Sequence, residues 1–201
     1  NGGDPAAFTS SVNGTGDGAI TYQWQSSTNN STFTNISGAV SATYDVPSGL
    51  TVTTYFRRIT VSTLNGVACQ SVATNVITVT VQSVPTAGII ATAQTICNGG
   101  DPALFTSTTN GTGSGVISYK WQSSTDNSSF TDIAGETAST YNAPGGLTVT
   151  TYYRRITVAT LNSVACQSVP TNVLTVTVQS VPIAGTITAD QTICSGGNPA
   201  A

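Results

Sequence analysis

Ile20-Thr21-Tyr22-Gln23-Trp24-Gln25 puts every apolar side chain on one parity and every polar side chain on the other. Alternation of this kind is the period of a half-buried β-strand, whose successive side chains point to opposite faces. The same period runs through Ile77, Val79 and Val81 against Thr78 and Thr80. No segment has the apolar spacing of a helix, and Thr, Val, Gly, Asn and Ser disfavour helix throughout.

Outward from these strands the chain repeats itself. Asn1 to Cys97 lie over Asn98 to Cys194 without a gap, with about 70% of positions identical. Ser195-Gly196-Gly197-Asn198-Pro199-Ala200-Ala201 then restarts the text of Asn1 to Ala7. The strand-like run 75–83 is followed by Val84-Pro85-Thr86-Ala87-Gly88, and its copy 172–180 by Val181-Pro182-Ile183-Ala184-Gly185. Proline and glycine punctuate the chain there. The expected organisation is a repeat over 1–83 whose first strand lies before the chain's first residue, a linker at 84–87, a repeat over 88–180, a linker at 181–184, and the start of a third repeat at 185–201. Linkers this short predict a stiff rod of domains.

In the second repeat, strands are expected at 88–96, 103–109, 116–123, 130–133, 139–143, 151–159 and 172–180. Seven short strands separated by turn residues predict an all-β fold of tandem immunoglobulin-like (fibronectin III or PKD-like) antiparallel β-sandwich domains. Trp24 and Trp121 are expected in the core. Leu147 followed by Tyr152, repeated as Leu50 and Tyr55, resembles the tyrosine corner of fibronectin type III domains, which implies core positions for Tyr55 and Tyr152.

Charged residues make up only 6% of the chain, and the net charge is −3 with five basic residues. Nucleic acid and anionic membrane surfaces, which need clustered Lys and Arg, are therefore not expected partners. No run approaches the length of a membrane span. The lack of His removes Ser-His-Asp and Cys-His constellations and makes a zinc site improbable. Asp126, Asp132 and Glu136 could in principle form a glycosidase pair, but their counterparts are Asn29, Asn35 and Ala39, so they read as solvated loop acids. Only Asp4 and Asp101 recur at one position, which argues against a calcium site in every repeat. The Gly-rich segments 13–18 and 110–115 lack the Lys of a phosphate loop and read as hairpin turns. Arg57-Arg58 and Arg154-Arg155 place one side chain of each pair inward or at a sheet edge, with an ion pair to Asp4 or Asp101 as the expected role. Neither catalytic residues, nor metal, nor cofactor is expected.

The four cysteines, at 69, 97, 166 and 194, fall two per period of the repeat, which reads as structural disulfides and an extracytoplasmic compartment. Cys97 to Cys166 would bridge within the second repeat; Cys69 to Cys97, with Cys166 to Cys194, would staple neighbouring repeats. The first is favoured because Cys97 and Cys166 lie between the same two linkers.

Gln94-Thr95-Ile96-Cys97-Asn98-Gly99-Gly100-Asp101-Pro102, Tyr119-Lys120-Trp121-Gln122-Ser123-Ser124 and Thr151-Tyr152-Tyr153-Arg154-Arg155 resemble the repeats of giant surface proteins of gliding Bacteroidota, of the gliding-motility adhesin type exported by the type IX secretion system. That resemblance implies an extracellular filament or stalk at the cell surface, whose partners are neighbouring repeats of the same chain and surface polysaccharide or other cell-surface proteins. A carbohydrate-binding module, or a spacer within a secreted multidomain enzyme, is the alternative.

Overall fold

The structure, a computed structural model, describes residues 3–91, 93–188 and 190–199; residues 200–201 of the expected third repeat lie outside them. It is all-β. The first repeat contributes β1 (Ala19–Ser27), β2 (Thr34–Asn35), β3 (Thr54–Leu64), β4 (Val67–Gln70) and β5 (Ile77–Val79). The second contributes β6 (Gly88–Ile90), β7 (Gln94–Cys97), β8 (Ser107–Asn110), β9 (Val116–Ser124), β10 (Thr131–Asp132), β11 (Thr151–Leu161), β12 (Val164–Gln167) and β13 (Leu174–Gln179). Among the described residues no helix is long and apolar enough to cross a membrane.

In the second repeat one sheet runs β10-β9-β11-β13-β7, with β12 also on β11, and a smaller sheet pairs β6 with β8. The two close on one interior of Ile90, Phe105, Trp121, Tyr141, Tyr153, Leu174 and Val176. The expected first strand, 88–96, is two strands in different sheets. β6 pairs antiparallel with β8, whereas β7 runs parallel to β13. That crossing gives an otherwise antiparallel domain its one parallel pair among the described residues. The expected strand 139–143 is reduced to a single bridge, Phe105 to Tyr141.

β12 is a strand the sequence reading missed. It folds back on the end of β11 through Asn162 and Ser163, both at positive φ (48° and 65°). In the first repeat the same turn is Asn65-Gly66, the strongest short hairpin signal, because both central residues of such a turn need positive φ. Between β12 and β13 the edge of β11 is served by hydroxyls. The Arg155 amide donates to Thr171 Oγ1 and the Thr157 amide to Ser168 Oγ, each at 3.0 Å. Arg58 with Thr74 and Thr60 with Ser71 repeat both bonds.

The first repeat has the sheet β2-β1-β3-β4, with β5 on β3. Trp24, 3% exposed, stands in an aromatic cluster with Phe8, Tyr44 and Phe56, and Trp121, fully buried, in one with Phe105 and Tyr141. Each indole donates to a backbone carbonyl, Ser41 or Ala138, at 3.0 Å. Tyr55 and Tyr152 are not core residues. Strand alternation turns them away from the interior, half-buried, while Phe56 and Tyr153 take the inner positions at 3% and 2% exposure. Burial pushes the Tyr153 phenol up to about 12.

Candidate functional site

The inner arginines sit where alternation places them, Arg58 at 4% exposure and Arg155 at 0%. Neither pairs with a carboxylate, so the expected ion pair with Asp4 or Asp101 is not formed. Arg155 lies over Tyr119 at 4.1 Å and donates through Nη1 to Ser107 Oγ and the Ser139 carbonyl; Arg58 does the same with Tyr22, Ser10 and the Ala42 carbonyl. Desolvation pulls the Arg155 guanidinium below its ordinary pKa. A planar cation fits between ring and carbonyl because its donors lie in the plane and its faces are free to stack.

The outer arginines form a second recurring cluster. Arg154 covers the Phe130 ring at 4.0 Å and donates to Gln122; Arg57 covers Phe33 at 4.0 Å and donates to Gln25. Asp132 accepts from Gln122 at 2.6 Å and pairs with Lys120 at 3.2 Å, and the Gln122 bond, ahead of Lys120, lowers its pKa.

Asp126 is a turn cap. One carboxylate oxygen accepts from Ser124 Oγ and the amides of Ser128 and Ser129, which lowers its pKa to about 2. Asn29 makes the same three bonds in the first repeat, so the position needs an acceptor rather than a charge. Among the described residues no group of three His, Cys, Asp or Glu is placed to hold a metal ion.

No two of the four cysteines are joined to each other. Cys97 ends β7 opposite Gln179, whereas Cys166 stands opposite Ala159 on β12. Since Thr151 pairs with Val176 on the same ladder, Cys97 and Cys166 lie at opposite poles, on the order of 30 Å apart at about 3.3 Å per residue. A disulfide needs Cα atoms within about 7 Å, so the expected Cys97 to Cys166 bridge does not exist. Cys69, opposite Ser62 near the far pole of the first repeat, is more remote still from Cys97.

The junction between repeats is the most elaborated site. Gln82 Nε2 donates to the carbonyls of Ala159 at 2.9 Å and Ser114 at 3.2 Å, tying the end of one repeat to the entry pole of the next. Pro85 is buried in the linker, against Gly113. Thr86 exchanges hydrogen bonds with Thr112, and Thr157 Oγ1 donates to the Ala87 carbonyl at 3.0 Å. Segment 110–115 is not a hairpin turn, because β8 and β9 belong to different sheets and it crosses between them beneath the linker. A Cβ on Gly111 would stand 2.0 Å from Thr157 Oγ1 and 2.4 Å from the Thr86 carbonyl oxygen. Its glycines let it pass. Beside the junction a cleft of about 830 Å³ is lined from one side by Gly3, Leu50 and Gln82 and from the other by Leu161, Val164 and Cys166.

The anchors of the linker escape sequence reading, because a glutamine after a strand carries no local signal. Comparison with curated proteins finds no match. The sequence family described as "Domain of unknown function (DUF8696)" matches residues 1–83 and again 86–180. The chain belongs to that family and carries two copies of its domain.

Proposed function

We propose that the chain is a length-giving, adhesive segment of a large secreted cell-surface filament or adhesin, in which repeats supply reach, stiffness and multivalent contact rather than catalysis. The junction carries this reading. A buried proline and a glutamine bonded to two carbonyls of the next repeat leave little slack between poles. With only 6% charged residues, the repeats lack a concentrated charge for one tight ligand, and many weak contacts with polysaccharide or other surface proteins suit them better. The resemblance to gliding-motility adhesins supports an extracellular place and a role in surface movement.

Carbohydrate stacking on Phe33 or Phe130 is disfavoured because a guanidinium already covers one face of each ring. Deleting repeats in the producing cell tests the reading. The surface structure should shorten and adhesion decline in steps with copy number. Complete loss of adhesion on removing one repeat would replace it with a dedicated ligand site.

A further inference from the structure

The second repeat carries its two thiols at opposite poles, Cys97 facing the repeat after and Cys166 facing the repeat before. Cys97 closes β7 at the exit pole beside Gln179. The first-repeat counterpart of Gln179 is Gln82, which donates to the Ala159 carbonyl, and Ala159 is the register partner of Cys166. The position occupied by Cys97 in the second repeat and Cys194 in the third falls, in the first, directly before Asn1. Gly3, a few residues on, already lines the same cleft as Cys166.

The entry poles of the two repeats differ in burial. In the second repeat, where residues 82–87 enter, Ala159, Thr157 and Ser168 are buried at 0%, 0% and 8% exposure and Cys166 is half-buried. In the first, Ser62 is half-buried, Ser71 and Cys69 are exposed, and a cavity of about 450 Å³ is lined by Gly16, Ser62, Val67 and Cys69.

We infer that consecutive repeats are cross-linked by a disulfide between the cysteine ending β7 of one repeat and the cysteine on β12 of the next. In this scheme Cys166 pairs with a cysteine at the β7-end position of the repeat before it, and Cys97 with one at the β12 position of the repeat after it. The chemistry is exchange: one thiolate attacks an oxidised disulfide donor such as glutathione disulfide, and the second thiolate displaces the bound half. One protein disulfide and two glutathione thiols result, with protons and electrons balanced. The bridge deepens the rod reading and rests on it, yet a rod without it would still lengthen linearly, so the two fail separately.

The test is the full chain preceded by a copy of residues 88–97, which gives the first repeat its own first strand and its cysteine. After refolding in glutathione disulfide, alkylation, proteolysis and mass spectrometry should recover one cross-link, joining the cysteine before Asn1 to Cys166, with Cys69, Cys97 and Cys194 alkylated. Cys166→Ser should return the added cysteine to the alkylated pool, a gain of one label there and the loss of the linked peptide. Recovery of Cys166 alkylated, or joined to Cys97 or Cys194, would overturn the inference.

Discussion

Gln82 reaches 2.9 Å to the carbonyl oxygen of Ala159, so the segment that follows the last strand of one repeat is fastened to the longest strand of the next. Removing that amide should loosen the joint and leave both domains folded. Gln82→Ala is expected to weaken the junction by about 1 kcal/mol, the net worth of a hydrogen bond or two. Limited proteolysis at 84–87 should accelerate several-fold while far-UV circular dichroism stays unchanged. Undiminished resistance would show that Pro85 alone holds the joint.

Gly111 and Gly14 occupy the same position but face different surroundings. Each would bring a Cβ within 2.0 Å of a threonine hydroxyl, and only at Gly111 does a backbone oxygen of the linker, Thr86, stand behind it. A threonine can rotate away, and a backbone cannot easily follow. Gly111→Ala should therefore cost about 1–3 kcal/mol of stability, and Gly14→Ala distinctly less, measured by denaturant unfolding.

Arg155 and Arg154 are neighbours with opposite environments. Arg155→Ala should destabilise by about 3 kcal/mol, since it opens a void beneath Trp121 and strands the Ser139 carbonyl. Arg155→Lys should restore little, because an ammonium cannot stack and fork together. Arg154→Ala, on the outer face, should cost under about 1 kcal/mol.

Asp126 should titrate near 2 by carboxyl NMR, held down first by the Ser124 hydroxyl and then by two amides. Its folded pKa is depressed, so its contribution is present above the ordinary carboxylate range. It is lost as pH falls from about 4 through about 2. Asp126→Asn, which copies Asn29, should keep the turn and remove that part of the acid dependence.

Strand period and repeat length were legible because they are written in alternation and self-similarity, which involve neighbours or identical text. Trp24 and Trp121 were legible as core for the same reason. The parity of Tyr152 against Tyr153 was not, since Tyr-Tyr offers both faces an aromatic and only the partner sheet decides between them. The split of β6 from β7 escaped because a strand that changes sheets keeps its β pattern on both sides. The disulfide pairing misled because sequence places Cys97 and Cys166 between the same linkers, while the ladder of β11 sends them to opposite poles. The junction was hidden for a related reason: Gln82 and Ala159 are far apart in the chain and neither is unusual where it stands.

Small-angle X-ray scattering of arrays of two, four and six repeats tests the central claim most directly. Docked junctions give each repeat a fixed rise, so the maximum dimension should grow in proportion to copy number. Growth near the square root of copy number would mean freely jointed repeats and would contradict a rod.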